Sequence, residues 1–178
     1  GLVNALFNMP PGDFAAGERG NASLPGREAE FRAGVARALE YAAALGTPTI
    51  HAMAGLVPAG ADRVRHRAVY VENLRYAATE LAKAGLELVI EPINTRDIPG
   101  YFLNTTGEAR SIIHEVAEPN VGLQFDLYHR QVMEGDVAKA IDEFGHLARH
   151  YQIANPPDRG EPDDGELNYR YLFKKIDD

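Results

Sequence analysis

Short apolar, β-rich runs alternate along this chain with longer segments of helical periodicity. The runs predict five strands, over residues 2–8, 49–53, 86–90, 121–125 and 147–153. Apolar residues at three- and four-residue spacing predict four helices between these strands and one more from about residue 169. Because strands that alternate with helices pair in parallel, the fold is either a doubly wound sheet or a (β/α)8 barrel.

The segments that follow the strands favour the barrel. A doubly wound dinucleotide-binding sheet carries a glycine-rich turn after its first strand, whereas this chain has Met9-Pro10-Pro11-Gly12-Asp13 there. Polar residues instead follow several strands, as in barrels, whose sites lie at the C-terminal rim. We therefore predict an α/β fold, a TIM barrel that is incomplete and has about five βα units, as a single partial domain over residues 1–178.

Composition excludes several classes of function. The chain has 178 residues, a net charge of −8 and no cysteine. The negative charge disfavours a nucleic-acid partner, because phosphate contacts need clusters of Lys and Arg. No apolar run approaches the roughly 20 residues that cross a bilayer, so no membrane partner is expected. The absence of cysteine rules out disulfides and thiolate chemistry and is typical of a cytoplasmic protein.

Two carboxylates stand at the ends of apolar runs. Glu91 follows Leu88-Val89-Ile90, and Asp126 ends the run from Val121 to Phe125. A buried carboxylate is costly without a metal or a partner, so both are candidates for a functional site. The alternatives are a strand-end acid paired with Lys or Arg for Glu91 and a cap for the following turn for Asp126.

Other polar residues are expected on the same rim. His51 and Gln152 lie at the ends of two further strands, and His129 follows Asp126 by three residues. Gln152 offers a neutral oxygen that suits Mg²⁺ or Mn²⁺. His51 could equally be a hydrogen-bonded core residue and His129 a solvated loop residue. Arg159, in a charged loop, is placed to meet an anionic group of a substrate.

Several longer motifs carry a resemblance to a known family. They are Leu24-Pro25-Gly26-Arg27-Glu28, the run from His51 to Gly60, Glu91-Pro92-Ile93-Asn94, Gln124-Phe125-Asp126, Gln152-Ile153-Ala154 and the run from Pro157 to Tyr169. With these motifs the chain resembles the hydroxypyruvate isomerase family, within the xylose-isomerase-like TIM barrels. The resemblance covers essentially the whole chain.

The resemblance implies a reaction and a metal shell. The family interconverts hydroxypyruvate and 2-hydroxy-3-oxopropanoate (tartronate semialdehyde), and it holds a divalent metal with Glu, Asp, Gln and a second Glu. The first three fall on Glu91, Asp126 and Gln152, and Glu91 is also the implied proton donor and acceptor. His51, His129 and Arg159 are then expected to bind a small keto-acid substrate.

The resemblance also implies that part of the barrel lies outside this sequence. The first two βα units and the last strand, with its second glutamate, have no counterpart here, so we expect a fragment of a longer gene product. Such a fragment would have open sheet edges, which leaves a homo-oligomer open.

The sequence leaves three other functions open. The first is an isomerase or epimerase that acts on a 2-oxo-tetronate or another keto-sugar acid. The second is an inactive metal-binding barrel fragment, which the missing second glutamate favours. The third is a metal-dependent DNA-repair endonuclease on the same fold, which the net charge of −8 disfavours.

Overall fold

A computed structural model describes residues 2–177 as one parallel five-stranded sheet with strand order β1-β2-β3-β4-β5. The strands are β1 (Leu6–Asn8), β2 (Thr49–His51), β3 (Glu87–Ile90), β4 (Val121–Asp126) and β5 (Ala148–Gln152). The helices are α1 (Glu28–Leu45), α2 (Arg63–Ala82), α3 (Thr106–Val116), α4 (Leu127–Met133), α5 (Val137–Phe144) and α6 (Tyr169–Asp177). The predicted partial barrel of five βα units is therefore confirmed.

Several helix ends lie where the local sequence supplies a cap. The Asp62 side chain accepts hydrogen bonds from two backbone N–H groups at the start of α2, and the Thr105 hydroxyl accepts one from Glu108 N–H at the start of α3. Gly46 ends α1 in the left-handed conformation, which glycine adopts without steric cost. These caps set where α1 ends and where α2 and α3 begin.

The core lies between the sheet and its helices. Ile50, Leu88 and Leu123, on three neighbouring strands, are fully buried. Leu74 and Ile112 project from α2 and α3 into the same cluster. Burying one such side chain contributes about 1.5–3 kcal/mol, so this layer stabilises the curved sheet whose upper rim carries the polar residues.

Two details differ from the sequence-based expectations. The first strand was predicted over residues 2–8, but it begins at Leu6, and Leu2 and Val3 are exposed because nothing in residues 2–177 packs on them. Helix α4, directly after β4, was not predicted, because its seven residues are too few for a clear helical period.

Strand register places the polar residues near the carboxyl ends of neighbouring strands. Asn8 pairs with His51 across β1 and β2, and Asp126 pairs with Gln152 across β4 and β5. Glu91 follows the last residue of β3, which pairs with Leu123. Because all five strands are parallel, their carboxyl ends form one rim. No helix within residues 2–177 is long and apolar enough to cross a membrane.

The outer strands β1 and β5 leave unpaired edges in this sheet, and such edges pair readily with other chains. We predict that the 178-residue chain self-associates, as sedimentation velocity would detect. Leu6→Lys, which places a charge on β1, should reduce association, whereas Leu2→Lys, outside the strand, should not. A sharp, reversible melt of a monomer at all concentrations would contradict this prediction.

Candidate active site

Glu91 is a buried carboxylate without a permanently charged partner. Its side chain is 7% exposed, and within residues 2–177 its only basic neighbours closer than 4 Å are His51 Nδ1 at 3.7 Å and His129 Nε2 at 3.8 Å. Burial, together with the nearby charge of Asp126, raises the pKa of Glu91 to about 8. The alternative of a strand-end acid paired with Lys or Arg is therefore wrong.

The two carboxylate oxygens of Asp126 have different surroundings. Its Oδ1 accepts hydrogen bonds from the backbone N–H groups of Tyr128, at 2.8 Å, and His129, at 3.1 Å, and so caps α4. Its Oδ2 faces the rim, 3.7 Å from His129 Nε2 and 3.5 Å from an Arg159 nitrogen. Asp126 therefore both caps α4 and faces the candidate site, so these two roles are not alternatives.

Two glutamines complete this side of the rim. Gln152 ends β5 beside Asp126, and its Oε1 accepts a hydrogen bond of 2.9 Å from Gln124 Nε2. The Gln124 amide also hydrogen-bonds to Glu91, which opposes the rise in the pKa of Glu91. Gln124 Oε1 is buried without a hydrogen-bond partner among the described residues. Sequence reasoning missed Gln124, although it lies on the same strand face as Asp126.

His51 is neutral and fully buried. Its Nδ1 lies 2.9 Å from the Asn8 amide oxygen, so Nδ1 carries the proton and Nε2 keeps a lone pair. Burial and the proximity of His129 lower the pKa of His51 to about 3. Its Nε2 has no hydrogen-bond partner within residues 2–177. That unpaired acceptor fits the predicted contact with a substrate hydroxyl better than a purely structural role.

His129 is buried on α4, not solvated in a loop as the alternative required. Single ligand atoms of Glu91, Asp126 and His129 all lie within 4.8 Å of one another. Burial lowers the pKa of His129 despite the opposing charge of Asp126. The structure therefore brings this histidine to the two carboxylates.

Arg159 lies at the mouth of the site. It adopts a left-handed backbone conformation, with φ of 57°, and its guanidinium lies 5.1 Å from the centre of the Tyr128 ring. The side chain is 48% exposed and is 3.9 Å from Asp97 and 3.5 Å from Asp126. A half-exposed cation above buried acids is suited to meet an incoming carboxylate.

The donor set fits a hard divalent cation. The nearby charge of Asp126 disfavours the ionised form of buried Glu91, and a cation would relieve that repulsion. An amide oxygen, Gln152 Oε1, lies on the neighbouring strand. Oxygen ligands of this kind suit Mg²⁺ or Mn²⁺. Glu91, Asp126 and Gln152 are thus the residues that would hold the metal.

The profile of the family described as "Xylose isomerase-like TIM barrel" matches residues 1–178. The chain belongs to this family. The match agrees with the observed sheet and with the resemblance that the sequence motifs indicate. It also confirms the prediction of a TIM-barrel fold with an incomplete set of strands.

Relatives of the chain carry isomerase names. A 2-oxo-tetronate isomerase from Cupriavidus necator is 56% identical over 99% of this chain. A hydroxypyruvate isomerase from Escherichia coli is 49% identical over 99%. The chain spans 68% of the length of each. These relatives confirm that the chain belongs among isomerase enzymes, as predicted.

A solved structure shows the same backbone. The crystal structure of a family 2 AP endonuclease from Brucella melitensis superposes with a TM-score of 0.97 and 50% identity. It covers 99% of this chain, which spans 68% of that protein. The five-unit sheet is therefore about two thirds of a known barrel.

The pKa of Glu91 predicts how the stability of the metal-free chain depends on pH. The folded chain keeps a proton on Glu91 up to about pH 8, while the unfolded chain loses it near 4.5. The folded state thus binds more protons in this window, and the free energy of unfolding should fall as pH rises, by on the order of 5 kcal/mol. Glu91→Gln should flatten this slope in urea denaturation, and Glu40→Gln, on exposed α1 surface, should not. An unchanged slope in Glu91→Gln would contradict the assignment.

Metal binding should stabilise the chain. We predict that Mn²⁺ raises the free energy of unfolding, by about 2.7 kcal/mol at a hundredfold excess over Kd. Glu91→Gln and Asp126→Asn should abolish this gain, Gln152→Leu should reduce it, and Glu40→Gln should leave it intact. Calorimetric titration with thermal melts measures both effects. Equal Mn²⁺ affinity in the parent and Asp126→Asn would rule out this site.

Proposed function

We propose that this site isomerises short 2-oxo-3-hydroxy acids, with hydroxypyruvate as the predicted substrate. The observation that carries the proposal is a buried carboxylate, Glu91, whose pKa is raised to about 8 beside a second carboxylate. A base of this strength is matched to proton transfer near neutral pH. A neutral histidine, His51, lies on one side of Glu91 and offers a hydrogen-bond acceptor. A half-exposed arginine, Arg159, lies on the other side and offers a positive charge.

The reaction moves a carbonyl to the neighbouring carbon. Ionised Glu91 removes a proton from C3 of hydroxypyruvate, and the electron pair forms a C2–C3 double bond while the C2 oxygen becomes negative, giving an enediolate. The proton then returns to C2, the hydroxyl proton passes from O3 to O2, and C3 becomes the aldehyde carbon. No electron leaves the substrate, so the step needs no oxidant or reductant.

Each surrounding residue has a separate task. A divalent cation, held by Glu91, Asp126 and Gln152, would stabilise the negative charge that develops on oxygen. The free lone pair of His51 Nε2 accepts a hydrogen bond from a substrate hydroxyl. Arg159 pairs with the substrate carboxylate at the mouth of the site, where its guanidinium is 48% exposed.

The second glutamate that the family resemblance implies has no counterpart at a strand end in residues 2–177. The five strands end at or just before Asn8, His51, Glu91, Asp126 and Gln152. Glu91 is therefore the one strand-end residue of this part that we assign to proton transfer.

A 2-oxo-tetronate is the second candidate substrate. The relative with that name is 56% identical to this chain, against 49% for the hydroxypyruvate isomerase. The two acids share the 2-oxo-3-hydroxy carboxylate unit and differ by one hydroxymethyl group on C3. The same proton transfer therefore serves both, and the space beyond C3 decides between them.

An endonuclease activity has less support. The solved relative from Brucella melitensis carries an AP endonuclease title. This chain, however, has a net charge of −8, and two arginines of α2 and α3, Arg67 and Arg110, pair with Glu115 and Glu143. Binding to a DNA backbone depends on unpaired Lys and Arg that neutralise phosphates.

Turnover tests the proposal. In the complete gene product with Mn²⁺, we expect hydroxypyruvate or the 2-oxo-tetronate to isomerise and, in D₂O, to exchange its C3 hydrogen. Glu91→Gln should lower kcat by about 10²–10⁴-fold, as for loss of a general base, while Glu40→Gln should not change it. The ratio of kcat/KM for the two acids identifies the preferred substrate. Absence of exchange with both acids would overturn the proposal.

A further inference from the structure

Asn94, in the loop after β3, is fully buried and its amide has one orientation. The backbone N–H of Asp97 donates a 2.7 Å hydrogen bond to Asn94 Oδ1. Asn94 Nδ2 therefore faces the other way, where it donates to Asp97 Oδ2 at 3.1 Å and lies 2.7 Å from His129 Nδ1. Rotating the amide by 180° would place its oxygen against the Asp97 carboxylate and lose both donor contacts.

This orientation fixes the proton on His129. The Asn94 backbone N–H also points at Nδ1, at 3.4 Å, so two donors converge on one ring nitrogen. A nitrogen that accepts hydrogen bonds holds a lone pair and no proton, which leaves the proton of a neutral imidazole on Nε2. A doubly protonated ring would place Nδ1–H against both donors.

The surroundings of Nε2 agree with a proton there. Asp126 Oδ2, an acceptor, lies 3.7 Å away, and Glu91 Oε1 lies 3.8 Å away. One Arg159 nitrogen, a donor, is 3.4 Å from Nε2. That contact comes from a side chain that is 48% exposed, whereas the contact of buried Asn94 Nδ2 with Nδ1 is 0.7 Å shorter. If both ring nitrogens accepted, His129 would be an anion beside two carboxylates, which is far more costly.

A polar network holds Asn94 in place. The Tyr128 hydroxyl donates to Asp97 Oδ2 at 2.9 Å, and Arg96 donates to the Tyr128 hydroxyl at 2.8 Å. Asp97 therefore accepts from two side chains while its own N–H holds the Asn94 oxygen. The network ties the loop after β3 to α4, the helix that carries His129.

We propose that Asn94 is a positioning residue that keeps His129 as an Nε2–H donor, aimed at the space beside Glu91 and Asp126. A ring nitrogen that carries a proton cannot bind a metal. His129 therefore donates a hydrogen bond to a substrate oxygen instead of joining the metal shell. This step rests on the proposed function, because an Nε2–H donor stabilises the negative oxygen of an enediolate, whereas a lone pair there would repel it.

The test detects directly which ring nitrogen of His129 carries the proton. Long-range ¹H–¹⁵N correlation NMR of the ¹⁵N-labelled chain, without metal or substrate, distinguishes the ring nitrogens of His129. We expect Nε2–H in the parent. Asn94→Asp replaces the donor by an acceptor of the same shape, and we expect His129 then to carry a proton on Nδ1. Nδ1–H in the parent, or unchanged Nε2–H in Asn94→Asp, would overturn the proposal.

A matched variant and a kinetic readout separate positioning from general damage. Asn104→Asp changes a partly buried asparagine of the same loop that contacts the Ile93 carbonyl and not His129, so its His129 signals should match the parent. In the complete gene product, Asn94→Asp should lower kcat by about 10- to 100-fold, as loss of supporting contacts does, and Asn104→Asp much less. An equal loss in the two variants would contradict a positioning role.

The two proposals fail separately. If the gene product exchanges no C3 hydrogen but parent His129 is Nε2–H and shifts in Asn94→Asp, the proposed function fails while the control of the ring proton by Asn94 stands. If turnover proceeds but the ring proton does not respond to Asn94→Asp, Asn94 has no positioning role and the proposed function stands.

Discussion

The burial of two carboxylates on neighbouring strands is the constraint around which this molecule is organised. Glu91 and Asp126 both lie below 7% exposure, where a charge without a partner is costly. Backbone N–H groups of α4 stabilise one oxygen of Asp126, and the Gln124 amide stabilises Glu91. No lysine or arginine of residues 2–177 lies within 4 Å of Glu91. The raised pKa of Glu91 therefore reflects a buried negative charge that no such side chain offsets and that a divalent cation would balance.

Much of the architecture serves to place these two carboxylates at one rim of the sheet. Parallel pairing in register brings the carboxyl ends of all five strands to one rim, and the loops after them build the walls. The loop after β3 turns back so that Asn94 meets α4, and α4 starts at Asp126 itself. One aspartate therefore ends a strand, caps a helix and faces the site. The same helix carries His129 to within 4 Å of both carboxylates.

The sequence alone predicted the parallel sheet, the barrel class and the strand-end residues, because apolar runs closed by a polar residue are local patterns. It did not predict α4, whose seven residues are too few for a clear helical period. It also missed Gln124 and Asn94. Their importance comes from contacts with Gln152, 28 residues away, and His129, 35 residues away, and no short pattern encodes such pairs. The state of each imidazole likewise depends on partners that only the fold brings together.

An anomalous difference map of Mn²⁺-loaded crystals tests the central claim most directly, because it locates the ion and its ligand atoms in one measurement. We predict a single strong peak at the rim, bound by carboxylate oxygens of Glu91 and Asp126 and by the amide oxygen of Gln152, with His129 Nε2 outside the metal shell. A peak elsewhere, or one ligated by His129, would contradict it.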